Sequence, residues 1–236
     1  MGMLSHRSEF GDSHVFHRLE EILPGVAMRT YTDAMQAAEI ELKFSVMDIR
    51  ALRSAVEALG FALLTERTFE SNVLYDTADR QLRARREILR IRHYGERCTV
   101  THKRMANGGD GDLRYKTRIE TESAVEDGDA LAEIFAQLGY APVFRYEKFR
   151  TEWEMDGGHL VLDETPIGIW AELEGPPRWI DAMLEELSVA EELRTTESYG
   201  KIFLRWKEET GSPAENLTFE EVAAGAEAGA LAVAAK

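Results

Sequence analysis

The chain has 236 residues, 44% of them hydrophobic, and a formal net charge of −15 at pH 7. That length suits one large domain with tails or two small ones, with enough apolar residues for a core. The charge argues against nucleic acid and anionic membranes as partners, the single cysteine excludes an internal disulfide and a cysteine-rich zinc site, and no apolar run is long enough to span a bilayer.

A reducing cytoplasm is the simplest compartment for such a chain. Residues 1–36 lack the continuous apolar core of a secretory signal and read as an extension outside the fold. Periodicity begins in AEIELKFSV, where alternation places Ile40, Leu42 and Phe44 on one strand face and Glu39, Glu41 and Lys43 on the other. Like charges that close together repel. The strand therefore has either a wet outer face or a ligand shared by both carboxylates, such as a divalent metal. MDIRALRSAVEALG predicts a helix ending at Gly60, from Ile49, Leu52, Val56 and Leu59 at helical spacing. The alternating runs SNVLYDT, EILRIRHY, RCTVTHK and RYKTRIETE follow, with MANGGDGD as a hairpin connection. A second helix is predicted in DGDALAEIFAQLG, and three more strands in VFRYEKFRTEWE, GHLVLDE and GIWAELE. A third helix follows GPP, and a fourth covers SYGKIFLRWKEE. The alanine-rich end reads as a tail. The organisation expected is an extension over 1–36, one domain over 37–209 and a tail over 210–236.

A weak internal repeat links the two halves. ALGF ends the first helix at Phe61 and QLGY ends the second at Tyr140, an offset of 79 residues. The same offset carries Glu39, Glu41 and Lys43 onto Arg118, Glu120 and Glu122, so two strand–helix halves could close into one barrel.

Nearly every strand repeats the pattern of the first, an ionic face backed by an apolar one. Arg90 and Arg92 share a face, as do Arg97, Thr99, Thr101 and Lys103. So do Lys148, Arg150 and Glu152. Asp163 lies opposite Leu160 and Leu162, and Glu172 and Glu174 lie opposite Ala171 and Leu173. An ordinary barrel fills its inside with apolar side chains. Here amphipathic helices need an apolar sheet surface to cover. If they lie outside, the ionic faces line a tunnel; the alternative is a two-layer sheet with one solvated face. Between Arg83 and Arg118 there are eleven Lys or Arg and four Asp or Glu. A basic block in an acidic chain points to a locally held anion, and arginine suits phosphate because its planar fork donates two hydrogen bonds. Carboxylates beside a phosphate call for an intervening cation, and hard oxygen ligands point to Mg²⁺ or Mn²⁺. His93 and His102 fall on apolar faces and read as structural.

These residues resemble the CYTH family, the triphosphate tunnel metalloenzymes, in order from about Ala38 to Lys207. The resemblance runs through the Glu-x-Glu-x-Lys of Glu39, Glu41 and Lys43, the LRIR of Arg90 and Arg92, and the Thr-x-Lys of Thr101 and Lys103. It continues through the Arg-x-Glu-x-Glu of Arg118, Glu120 and Glu122, the Lys-x-Arg of Lys148 and Arg150, the LDE at Asp163, the AELE of Glu172 and Glu174, and the closing SYGKIF. Where the family often has Phe before the last Glu-x-Glu, this chain has Trp170. It has RMANGG where the family often has proline or glycine. The resemblance implies an α+β fold, a closed eight-stranded antiparallel β-barrel with helices packed outside, and a metal-bound triphosphate within. Glu39, Glu41, Asp163, Glu172 and Glu174 would hold Mg²⁺ or Mn²⁺. Lys43, Arg90, Arg92, Lys103, Arg118, Lys148 and Arg150 would bind phosphate, all but Arg118 also being catalytic. Glu120 and Glu122 have no single assigned role: a second metal, orientation of the arginines, or placement of a water. The expected partner is a small-molecule triphosphate (tripolyphosphate, thiamine triphosphate or ATP), with a homodimer left open. Hydrolysis is the preferred activity. The alternatives are a class IV adenylate cyclase, which makes cyclic AMP and pyrophosphate from ATP, and a non-catalytic polyphosphate- or nucleotide-binding module.

Overall fold

The computed structural model describes residues 38–105 and 114–225. The extension assigned to 1–36, residues 106–112 of the MANGGDGD loop and the last residues of the chain lie outside the described residues. Eight strands form the body: β1 Ala38–Ser45, β2 Ala62–Thr77, β3 Ile88–Tyr94, β4 Arg97–Met105, β5 Lys116–Val125, β6 Tyr140–Met155, β7 Gly158–Thr165 and β8 Gly168–Glu174. They pair antiparallel in the order β5-β4-β3-β2-β6-β7-β8-β1. The ring closes where β1 meets β5, with Glu39 opposite Arg118 and Glu41 opposite Lys116. The two strands related by the weak repeat are thus the pair that seals the barrel. A short β9, Arg194–Thr195, pairs with β1 at Lys43 and Phe44, beyond the point where β5 leaves off.

The helices are α1 Ile49–Leu59, a short α2 Gln81–Ala84, α3 Gly128–Gln137, α4 Pro177–Glu186 and α5 Tyr199–Thr210, with further helix over 219–225. Local chemistry sets their ends. Asp48 caps α1 by accepting from the amides of Arg50 and Ala51, and Gly60 ends it in the left-handed region at φ 88°. Asp127 and Ser198 cap α3 and α5 in the same way.

The apolar strand faces point outward onto these helices. Leu42 and Phe44 of β1, Leu160 and Leu162 of β7, and Ala171 and Leu173 of β8 pack with Val56 of α1 and Ile180 and Leu184 of α4. Full burial of each Leu, Ile, Val or Phe side chain is worth about 1.5–3 kcal/mol, so the helical coat drives the inversion that leaves ions inside. The approach of α4 is close: a Cβ at Gly158 would lie 2.4 Å from the Trp179 ring. A separate cluster joins Tyr75, Ile91 and Phe135 under α3. His93 lies against Gly128 at the start of α3.

Two expectations need correction. The strand expected from Ser71 begins at Ala62, because pairing with β6 carries β2 along sixteen residues where its own alternation is irregular. The tail expected from residue 210 is packed over part of its length. Leu217 donates its amide to the Arg145 carbonyl at 3.0 Å and accepts from the Glu147 amide at 2.9 Å. Ala214, Leu217 and Val222 are buried with Tyr199, Ile202 and Phe203. These anchors are single apolar residues in a mostly polar stretch, too sparse to show a period. No helix among the described residues is long and apolar enough to cross a membrane.

Candidate functional site

Alternation gives each strand one set of side chains inside the ring. β1 contributes Glu39, Glu41 and Lys43. Register sets Glu41 beside Glu174 and Lys43 beside Glu172 of β8. β3, β4, β5 and β6 add Arg90 and Arg92, Lys103, Glu120 and Glu122, and Lys148 and Arg150. They enclose a cavity of about 340 Å³. Of the fourteen site residues expected from sequence, twelve line it; the exceptions are Arg118 and Asp163.

Three carboxylates gather on the β1–β8 wall. One oxygen each from Glu39, Glu41 and Glu174 lie within 4.8 Å of one another. Burial pushes the Glu174 carboxyl up; Arg150 opposes the rise, and Glu172, Glu39 and Glu41 add to it, taking it to about 8. Lysines act as internal counter-ions. Lys103 Nζ lies 2.6 Å from Glu39 and 2.7 Å from Glu120, and Lys116 pairs with Glu41. Three grouped, mutually repelling oxygen donors on one wall, Glu41 buried and Glu39 and Glu174 half-buried, fit a single hard divalent cation.

The raised Glu174 carboxyl has a consequence for the metal-free protein. A carboxyl whose folded pKa exceeds its unfolded one binds more protons folded than unfolded, so its contribution is complete below the unfolded value of 4.5 and is lost as pH rises through about 8. In chelator, Glu174→Gln should therefore flatten the fall in melting temperature between about pH 5 and pH 9. An unchanged slope would show that the group does not carry it.

Deeper in the wall lies a second, paired set. Asp163 is fully buried and accepts from Lys148 Nζ at 2.8 Å, Arg150 Nε at 2.7 Å, Arg150 Nη2 at 2.6 Å and the Tyr199 hydroxyl at 2.7 Å. Glu172 pairs with Lys43 and accepts from Arg150 Nη2 at 2.9 Å. Burial favours the protonated form of Glu172, but Lys43, Arg150 and Lys148 outweigh it and hold its carboxyl well below the usual range. Glu70 of β2 is fully buried too, 2.6 Å from Arg92 Nη2 and 3.4 Å from Lys148. Lys148, Arg150 and Arg92 overcome its burial and lower its carboxyl. Of the five carboxylates expected to hold a metal, Asp163 and Glu172 lie outside the three-carboxylate group and face Lys148, Arg150 and Lys43.

The basic residues divide by neighbour. Arg90 donates from Nη1 to the Tyr146 hydroxyl at 3.1 Å and from Nη2 to Thr101 at 3.2 Å. Thr101 donates to Glu122 at 2.9 Å. Glu120 and Glu122 lie 3.9 and 3.8 Å from Arg90 Nη2, an arrangement that orients the guanidinium. The Nε atoms of Arg90 and Arg92 are buried with no hydrogen-bond partner among the described residues. Such donors are costly unless an acceptor arrives. Arg118 is turned aside: its Nη1 lies 3.3 Å from the Arg86 carbonyl and contacts the Met105 sulfur.

Sequence reasoning missed Lys116, Glu70, Tyr146 and Tyr199. Lys116 was detectable, two residues before Arg118 in the same alternation. Tyr146 sits two before Lys148 in the same way. Glu70 and Tyr199 depend on packing between distant segments.

A family model of the CYTH domain matches residues 37–217. A Methanocaldococcus jannaschii protein named putative adenylate cyclase is 29% identical over 153 residues, 63% of this chain and 85% of its own length. Among solved structures, a putative adenylate cyclase from Vibrio parahaemolyticus is 21% identical with a TM-score of 0.61, covering 71% of this chain and 98% of that one. A Hippeastrum protein named putative adenylyl cyclase, described as revealing a dominant triphosphatase activity, is 18% identical with a TM-score of 0.53, covering 71% and 96%. At these identities the structural likenesses concern the fold. The family match spans all eight barrel strands and the cavity they enclose, and the chain belongs to the CYTH domain family.

Proposed function

We propose that this protein is a divalent-metal-dependent triphosphatase that binds its substrate inside the barrel and directs water at the terminal phosphorus. The observation that carries the reading is the division of one cavity into a three-carboxylate wall and a set of buried, oriented cations. Glu39, Glu41 and Glu174 would hold Mg²⁺ or Mn²⁺, which supplies charge neutralisation at the phosphate oxygens when bound. Lys43, Arg90, Arg92, Lys103, Lys116, Lys148 and Arg150 bind the remaining oxygens. Phosphoryl transfer needs alignment and charge stabilisation more than a covalent group. Accordingly, Asp163, Glu172 and Glu70 hold the cations still so that no reorganisation is needed during reaction. Glu120 and Glu122 orient Lys103 and Arg90.

A second reading, cyclisation of ATP to cyclic AMP and pyrophosphate, draws on the name of the Methanocaldococcus jannaschii relative. The same cavity would serve, with the ribose hydroxyl attacking the α-phosphorus. One assay separates the two: purified protein with Mg²⁺ or Mn²⁺ and tripolyphosphate, thiamine triphosphate or ATP, products resolved by ion exchange. Inorganic phosphate is the expected product, and cyclic AMP with pyrophosphate would establish the cyclase. Turnover should vanish in chelator and return with either metal. Full activity in metal-free buffer would remove the carboxylate wall from the mechanism.

A further inference from the structure

The connection between β2 and β3 stands at one end of the cavity. Leu74 near the end of β2 and Ile88 at the start of β3 both line it, and both are half-buried, so the cavity meets solvent here. Alternation gives Asp76 the same side of β2 as Leu74. Its buried carboxylate accepts from the amides of Thr77 at 2.8 Å, Leu82 at 2.9 Å and Arg83 at 3.0 Å. The Leu82 side chain is buried as well, and Arg118 Nη1 lies 3.3 Å from the Arg86 carbonyl. The connection is therefore tied down on both sides. Arg118, expected among the cavity residues, reaches this segment instead.

The same segment carries RQLRARR, four arginines in seven residues of a chain whose net charge is −15. Arg80, Arg83, Arg85 and Arg86 are all exposed. The neighbouring exposed carboxylates are engaged locally. Asp79 accepts from the Thr77 hydroxyl at 2.6 Å and from Gln81 Nε2 at 2.9 Å, and Glu87 lies 3.1 Å from Arg85. The Arg80 and Arg83 side chains make no ion pair or hydrogen bond among the described residues. Two of the four arginines adopt left-handed backbone, Arg80 at φ 60° and Arg86 at φ 58°. Glycine or asparagine is the easier residue there, so the turn itself does not call for these side chains. A net-negative protein repels a polyanion at long range, and a positive rim reverses that sign locally where the cavity meets solvent.

We propose that this arginine rim is an outer docking site for the incoming polyphosphate anion, which raises the rate of capture and takes no part in the chemical step. The proposal rests on the triphosphate reading above and adds how the substrate arrives. Charges at the edge of a binding site act on association rate and its salt dependence more than on the bound state.

The test compares wild type with Arg80→Gly combined with Arg83→Gln. Arg50→Gln combined with Arg53→Gln is the charge-matched control on α1, and melting temperature is the check on folding. Glycine suits the left-handed backbone at residue 80. Metal-dependent turnover of tripolyphosphate is followed from low ionic strength, where charges act over about 10–30 Å, to about 1 M salt, where they act over about 3 Å. At low ionic strength the rim variant should lose about tenfold in kcat/KM, the lower end of electrostatic steering, with kcat within about twofold of wild type. At about 1 M salt it should match wild type. The α1 variant should stay within about twofold throughout. If the rim variant melts well below wild type, Arg83→Gln combined with Arg85→Gln, which leaves both left-handed residues in place, should show the same salt-dependent loss. A loss undiminished at high salt, a loss matched by the α1 variant, or no loss at low salt in a folded variant would overturn this proposal alone. If wild type turns over none of tripolyphosphate, ATP and thiamine triphosphate with Mg²⁺ or Mn²⁺, the triphosphate reading falls and this proposal with it.

Discussion

Asp163→Ala is expected to destabilise the protein by about 3–5 kcal/mol, the cost of removing one member of a buried ion-pair cluster. Asp163 is 0% exposed and accepts four hydrogen bonds, from Lys148, from two nitrogens of Arg150 and from Tyr199. Alanine would leave those donors in the barrel wall without the acceptor that orients them. Glu70 and Glu172 remain nearby, at 3.4 Å from Lys148 and 2.9 Å from Arg150, but each already serves another cation. Urea unfolding measures the change through the transition midpoint, with the slope as the check on two-state behaviour. A loss below about 1 kcal/mol, the worth of an exposed pair, would mean that the cations find other partners. Asp163→Asn should fall between, since the amide keeps one acceptor oxygen but loses the charge.

Glu39→Gln combined with Glu41→Gln should abolish turnover while leaving the metal-free fold close to its original stability. The two carboxylates supply two of the three oxygens grouped on the β1–β8 wall, where the proposed metal would bind, and a neutral amide is a poor ligand for a hard cation. A loss greater than about a hundredfold is expected, because disturbing even the outer shell of a metal site costs about 10–100-fold. Two opposing effects act on stability. Lys103 and Lys116 lose their charged partners, although the amide oxygens still accept from them. Glu174 loses the repulsion that helps to raise its carboxyl to about 8. Parallel thermal melts in chelator and product assays with Mg²⁺ separate loss of metal binding from loss of structure. An active double variant would return Glu39 and Glu41 to simple partners of the two lysines. A large fall in melting temperature would make them primarily structural.

The ionic face of each strand was legible because alternation is a local property. Glu39, Glu41 and Lys43 share a side whatever the rest of the chain does, and so do Arg90 and Arg92. That the ionic sides point inward was legible as one of two arrangements, because helices can cover the apolar sides of a two-layer sheet as well as those of a barrel. Departures came where pairing overrode local pattern. β2 extends back to Ala62 because β6 supplies a partner, and this hid Glu70, which lies buried near the middle of the longer strand. Leu217 docks on β6 through backbone bonds to Arg145 and Glu147, a contact that no period announces, because Leu217 is a lone aliphatic residue in GSPAENLT.

By itself the sequence determined the family, the ionic faces of seven of the eight barrel strands and most of the side chains that meet in the cavity, because each follows from spacing within a single strand. Only the tertiary structure decided which partners each carboxylate has. Glu174 joins Glu39 and Glu41 because strand register sets it beside Glu41. Asp163 and Glu172 hold Lys148, Arg150 and Lys43. Which carboxylates group together and which cations each one faces depend on distances of a few ångströms across neighbouring strands, and closure of the barrel sets those distances.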